Sequence, residues 1–417
     1  MKKILLVCLF LFVTGNVFSQ IERTQNWQKD IDFLITAIKN QHYVYKNKDF
    51  PEVLKKKIES LKINIASYSD ERMLIELQRL MFYLGDGHSY FFPFGSKITE
   101  SFYLPLQFYV FSDGMFVIDA DSAYTSLIGM KVKKIGSATP KKMMKEMIGF
   151  ISQDNKMGAK WVGPFYIRFR GLLESYGLPA NSLDVTINFE GKNGSTYIEK
   201  VAFVPVPSLH GLPKMVSPKN STIDKTPLYL SDVQTNFWLK ELPEHKAIYF
   251  QFNQVRNAEN ESLLEFSKRL EGQLAQKKPT LLIVDVRHNN GGNGDLTPPL
   301  INVIKDFEGN QSGKIIVITG RNTFSAAQIF ISKIDKETDA IFVGESSSSK
   351  PNFVGEENMV LLPYSGAMGS ISNRYHENIP NDKRQFIKPN IKIELSSKDF
   401  FNNHDPVLKA ILNGYDY

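Results

Sequence analysis

The chain has 417 residues, 42% hydrophobic and 23% charged, with a formal net charge of +6. That length suffices for two or three domains with their own cores, and the composition excludes a disordered or low-complexity chain. The basic residues are dispersed, which argues against a nucleic-acid patch, while a single cysteine, Cys8, excludes a disulfide framework and no HExxH or Cys/His set suggests a metal site.

In chain order, the first stretch is MKKILLVCLFLFVTGNVFSQ. Lys2 and Lys3 precede an apolar run from Ile4 to Val13. Val17 and Ser19 are small enough for a signal-peptidase site, so residues 1–19 are expected to be a signal peptide cleaved before Gln20. The run is too short to span a bilayer. Cleavage would remove two lysines, no acid and Cys8, leaving an exported (periplasmic or secreted) chain of net charge +4 without a membrane anchor.

Residues 20–95 read as a helical N-terminal segment, because QKDIDFLITAIKNQH and DERMLIELQRLMFYLG repeat apolar residues at spacings of three and four. The segment ends in LGDGHSYFF, a Gly-rich turn that presents His88 before an aromatic strand. Residues 96–210 read as a β-rich module: LPLQFYVFSDGMFVIDA, MKVKKIGS and LDVTINFEG are strand-like and PKKMMKEMIGFI is helical. A Pro- and Ser-rich link at 204–227 reads as loop.

Residues 211–417 alternate strand and helix. The strand KAIYFQF is followed by a helix with Leu263, Phe266, Leu270 and Leu274 on one face. Next come the strand PTLLIVDVR, a helix around LTPPLINVIKDF, the strand KIIVITG, a helix from near Ser325 and the strand AIFVGE. This order predicts an α/β core on a largely parallel sheet.

Three polar clusters fall at ends of predicted strands. In DVRHNNGGNGD, Gly291 and Gly292 allow backbone N–H groups to approach a ligand; the loop reads either as half an oxyanion hole, with Ala326 N–H as the other half, or as an ordinary βα turn. In VITGRNTFSAAQIF, Thr323 is the expected N-cap and Ser325 lies at the start of a helix, where free N–H groups favour negative charge. Ser325 is there as a nucleophile or as a second capping residue. In VGESSSSKPNFVGE, Lys350 lies in a polar loop; a desolvated lysine can serve as a serine's base, although most lysines are solvated. Of seven histidines, His88 and His288 sit in Gly-flanked loops beside strands. A neutral imidazole is the usual base for a serine, whereas a lone histidine is more often structural.

Taken together the motifs resemble those of the C-terminal processing (tail-specific) peptidases, in their tricorn-core-like branch. LLIVDVRHNNGG resembles that family's D-x-R-x-N-x-G-G loop, TFSAAQIF its T-x-S-A-x-E turn, and VGESSSSKPNFVGE its G-E-x-T-x-G-K-P-N loop. RQFIKPNIKIELSSKDFFNNHDPVLKAIL resembles its closing strand and helix, and LIGMKVKKIGSATPKKMMKEM a degenerate PDZ-like module. The resemblance implies a multidomain α/β protein with a crotonase/ClpP-like βα catalytic core at 211–417 and a PDZ-like module at 96–210. It implies a serine peptidase without a cofactor, hydrolysing polypeptides near their C-termini through Ser325, with Gly292 or Gly291 and Ala326 holding the oxyanion. For the base it implies His88, from Asp86-Gly87-His88, or Lys350, which follows Ser325 by 25 residues; GDGHS favours His88. Gln328 stands where the family motif has an acid, leaving Glu356 and Asp382 as candidates to orient the histidine. A non-catalytic peptide- or ligand-binding protein on the same scaffold is the alternative.

Overall fold

A computed structural model describes residues 2–207, 215, 225–311 and 314–414, with side chains described from residue 19 onward except at 309–311. The boundary expected at 210/211 and most of the 204–227 link lie outside the described residues. So do the side chains of the expected signal segment up to residue 18, whose backbone opens the Lys2–Gln41 helix. Among the described residues no helix is long and apolar enough to cross a membrane.

The alternating pattern of the C-terminal half produces a six-stranded sheet in the order Ile391–Lys392, Ile341–Gly344, Lys314–Thr319, Leu281–Asp285, Ala247–Phe252, Phe237–Leu242. Neighbouring strands are parallel except at the last pair, which is antiparallel. The central strands are continuous apolar runs because both faces are covered. Helices Leu263–Lys277, Pro298–Gln311 and Ala326–Glu337 pack on one face, and Pro406–Leu412 packs on the other through Val407, Leu408 and Ile411. Leu263, Phe266, Leu270 and Leu274 are buried as their spacing predicts, each contributing about 1.5–3 kcal/mol. A Ser262/Glu265 capping box starts that helix.

The β-rich module is a five-stranded antiparallel sheet in chain order: Leu106–Phe111, Gly114–Ala120, Lys131–Ile135, Asp184–Glu190 and Thr196–Ala202. The expected helix is present at Pro140–Met147, capped by Thr139. A further helix, Lys156–Tyr166, was hidden by Gly158, Gly163 and Pro164, all poor helix formers; tertiary packing overrides their propensity. The N-terminal helices Lys2–Gln41, Glu52–Asn64 and Asp70–Met81 enclose Trp27, Ile31, Leu34, Leu74 and Leu77.

A hairpin, Phe353–Leu361 with Met368–His376, positions the loop that carries His88. It emerges from the end of the core sheet and packs Val360, Leu362 and Ile371 against the N-terminal helices. Its second strand pairs with Tyr90–Phe91, directly after His88. The sequence reading treated the start of this region as a polar loop. Buried and half-buried charges brace the modules together: buried Arg321 pairs with Glu345 and donates to the Val110 carbonyl, and half-buried Lys160 bridges Glu345 and Glu394. Burial works to raise Glu345, but Arg321 and Lys160 prevail and hold it at about 2. Arg287, between Asp285 and Asp405, ties the C-terminal helix to the sheet in the same way.

Candidate active site

The Ser325 side of the site is built by a pinned turn. Thr323 Oγ1 accepts the Gly320 N–H at 3.0 Å and donates to the Val286 carbonyl at 2.9 Å. Thr323 is therefore not the N-cap; Ser325 takes that position, at φ 55° and ψ −124°. A non-glycine residue at positive φ costs about 1–3 kcal/mol and persists only where its surroundings over-determine it. Here Ser325 N–H donates to Ser349 Oγ at 3.2 Å, Phe324 N–H to the Asn289 carbonyl at 3.1 Å and Ile329 N–H to the Ser325 carbonyl at 3.1 Å. The result is a strained strand-to-helix elbow that lifts Oγ out of the turn and leaves Ala326 N–H at the helix start.

The 289–293 loop lies against that elbow. A Cβ on Gly291 (φ +116°) would sit 2.7 Å from Ser325 Cβ, and one on Gly292 (φ +133°) would sit 2.1 Å from the Val255 carbonyl oxygen, so both positions require glycine. Gly291 N–H is taken by Asn289 Oδ1 at 3.0 Å, which removes Gly291 from the expected oxyanion pair. Among the described residues the N–H groups of Gly292 and Ala326 make none of the loop's hydrogen bonds; Ala326 follows Ser325 in the chain, and Gly292 follows Gly291, which packs against Ser325 Cβ and Ala326 N.

His88 reaches the same point from 237 residues away, its Nε2 2.9 Å from Ser325 Oγ. The ring stacks on Phe324 at 4.4 Å and on Phe353 at 5.3 Å. Burial pushes its pKa down to about 4 against the opposing charge of Asp86, so the ring is neutral and able to accept a proton at neutral pH. For Nε2 to accept the Ser325 hydroxyl hydrogen, Nδ1 must carry the ring hydrogen. Among the described residues Nδ1 is buried without a partner of hydrogen-bond geometry, although the Val354 backbone lies close enough to favour the protonated ring.

The acidic candidates lie elsewhere. Glu356 faces His376 at 3.4 Å, and Asp382 is held by Arg384 at 2.7 Å. Asp86 serves the turn instead: its Oδ1 accepts His88 N–H, Ser89 N–H and the Ser372 hydroxyl at 2.9, 2.7 and 2.6 Å. Its Oδ2 accepts His42 Nε2–H at 2.9 Å, because His42 Nδ1 is occupied by the N–H groups of Val44 and Tyr45. Burial opposes the charge on Asp86, but His42 and Ser372 hold its pKa below the ordinary value. His42 was missed in the sequence because it ends a helix in no recognisable motif.

Lys350 makes no hydrogen bond to Ser325 among the described residues; its charge acts on the buried carboxyl of Asp154. His288 bonds the Tyr229 carbonyl at 2.8 Å and is a structural residue. Beside the pair a cavity of about 270 Å³ opens, walled by Phe92, Phe94, Trp161, Val162 and Phe165 and reaching Gly87, Asn290 and Phe324. On the Gly292 side a polar groove runs past Asp295, Lys333, Arg374 and His376. Among the described residues no cluster of three or more His, Cys, Asp or Glu side chains could hold a metal ion.

No family model matches this sequence, and no curated protein matches it. Solved structures do. Mature CPAF complexed with lactacystin aligns with a TM-score of 0.64 at 13% identity, covering 94% of this chain and 97% of that one. Uncomplexed mature CPAF gives 0.62 at 12% identity, covering 95% and 99%. A serine-to-alanine mutant of CPAF gives 0.64 at 14%, covering 94% and 96%. At these identities the likeness is one of fold, and it places this chain in the mixed α/β, multidomain architecture of mature CPAF over nearly its whole length.

Proposed function

We propose that this protein is a serine peptidase of the C-terminal processing kind, with Ser325 as nucleophile and His88 as general base. The observation that carries the reading is the 2.9 Å approach of His88 Nε2 to Ser325 Oγ at a residue held at φ 55°. As Ser325 Oγ attacks a peptide carbonyl, Nε2 takes its proton, and the carbonyl oxygen gains charge opposite the N–H groups of Gly292 and Ala326. His88 then delivers the proton to the leaving amine, and water, deprotonated by the same nitrogen, releases the acyl group. The low pKa of His88 favours the free base but lowers its strength, so proton transfer is weaker than in a base poised near neutrality.

The aromatic-walled cavity suits an apolar substrate side chain beside the scissile bond. In the same reading the 96–210 module is PDZ-like and the 211–417 core crotonase/ClpP-like. The module's edge strand Thr196–Ala202 offers unpaired backbone to an extended chain end by strand addition. The composition of residues 1–19 supports export before the enzyme acts. The test is hydrolysis of an unstructured polypeptide, followed by mass spectrometry of the products. Cleavage near the C-terminus that disappears in Ser325→Ala supports the proposal; cleavage that survives in a purified Ser325→Ala protein overturns it.

A further inference from the structure

Asp154 is buried, is not part of the proton-transfer pair, and lies between the two loops that supply that pair. It follows the Pro140–Met147 helix in a segment whose next residue, Asn155, donates to the carbonyls of Ser347 (3.2 Å) and Gln385 (2.7 Å). That fixes the segment across the loop carrying Ser349. Asp154 Oδ1 accepts the N–H of Gly87, the residue before His88, at 3.1 Å. Ser349 Oγ accepts the N–H of Ser325 at 3.2 Å, which leaves the Ser349 hydroxyl hydrogen to be given to an acceptor. Among the described residues Asp154 Oδ2 is buried without a partner of hydrogen-bond geometry, and the Ser349 side chain is among the groups that stabilise its charged form.

We propose that Asp154 is a positioning residue: through Ser349 it ties the backbone of the Ser325 elbow to the backbone of the His88 turn, and it does so most strongly when ionised. The proposal rests on the Ser325/His88 reading above. The ionised carboxylate accepts from Gly87 N–H on one oxygen and from the Ser349 hydroxyl on the other. Once protonated, the carboxyl O–H donates to the Ser349 Oγ lone pair that Ser325 N–H leaves free, the Ser349 hydroxyl hydrogen has to turn away from Oδ2, and the bonds to Gly87 and Ser349 lose their charge-assisted strength. Two charged neighbours bear on this group, Lys350 on the Ser349 loop and Asp86 on the His88 turn, with His42 behind Asp86. Burial lifts Asp154 to about 7, Lys350 opposes the rise and Asp86 adds to it. Both states are therefore populated near neutrality, where His88, at about 4, does not titrate.

The experiment is the rate of labelling of Ser325 by a fluorophosphonate probe across pH 5–9, in the full chain. Wild type is expected to label faster as pH rises, through a midpoint near 7. Asp154→Asn should lower the plateau about tenfold and remove that midpoint. Ser349→Ala, which loses only a hydroxyl, should cost about the same, and the double variant should be no slower than Asp154→Asn alone. An unchanged midpoint in Asp154→Asn, a wild-type rate in Ser349→Ala, or losses that multiply in the double variant would each overturn the proposal. If no protein labels, the Ser325/His88 reading has failed, and amide hydrogen exchange decides the tether separately. Asp154→Asn should then speed exchange at 83–90 and 320–330 together; acceleration confined to 150–157 overturns it.

Discussion

Ser325 stands on an elbow whose contacts come from the α/β core and the loops at its strand ends, whereas His88 stands on a turn held by residues from four distant stretches of chain. The elbow is fixed by Val286, Asn289, Thr323 and Ser349. The base turn is fixed by His42 and Ser372 through Asp86, by Asp154 through Gly87, and by Phe353 stacked on the ring. One half of the site is secured by strand and helix geometry that the local sequence dictates. The other is secured by side-chain bonds that exist only after the hairpin and the N-terminal helices have docked. The geometry at Ser325 should therefore fail only with the core, and the geometry at His88 should fail with any of several remote residues.

The largest effect should come from breaking the core side. Gly292→Ala places a Cβ 2.1 Å from the Val255 carbonyl oxygen at φ +133° and is expected to cost roughly 4 kcal/mol or prevent folding, measured by chemical denaturation. A variant of wild-type stability would contradict the packing of that loop. Next is the base side. His42→Ala leaves the buried carboxylate of Asp86 short of a hydrogen-bond donor, a loss of roughly 3 kcal/mol. It should slow Ser325 labelling while the far-UV spectrum of the folded fraction is retained; unchanged labelling would show that the Asp86 turn does not position His88.

A smaller, pH-dependent effect separates the two halves without disturbing packing. His88 falls from its ordinary 6.5 to about 4 on folding, so between those values the unfolded chain binds the proton more readily. Stability from this group is complete above pH ~6.5 and declines as pH falls toward 4, by up to roughly 3 kcal/mol. Asp154 runs the other way, since its raised pKa makes the folded state the better proton binder as pH falls below about 7. The stability difference between wild type and His88→Gln should therefore change across pH 4–6.5; a constant difference would contradict the buried neutral ring. Smallest is Glu356→Gln. Its carboxylate is exposed and pairs with His376, so a change below about 0.5 kcal/mol is expected, and a large loss of labelling would make Glu356 the orienting acid after all.

The same contrast explains what could be read from the sequence. The parallel strands, the Leu263–Leu274 face and the position of Ser325 between strand and helix follow from local patterning, because both-face burial demands continuous apolar runs. Thr323 was misread as a cap because its hydroxyl is spent on the neighbouring strand end, a contact that local sequence does not encode. The hairpin is hidden because Gly355, Glu356, Glu357 and Asn358 give it a polar, loop-like texture, and its identity depends on pairing with Tyr90–Phe91 far upstream. The roles of His42 and Asp154 are of that same non-local kind. Lys350 illustrates the converse: its spacing from Ser325 is right, but the structure sets its charge on Asp154.

The most direct measurement of the Ser325/His88 assignment is intact-mass analysis of a fluorophosphonate adduct, comparing wild type with Ser325→Ala, His88→Ala and Lys350→Ala. The account predicts one adduct per wild-type chain, none on Ser325→Ala, labelling slowed by about a thousandfold or more in His88→Ala, and labelling retained in Lys350→Ala. Labelling that survives without His88 but vanishes without Lys350, or a folded wild type that takes no label, would contradict it.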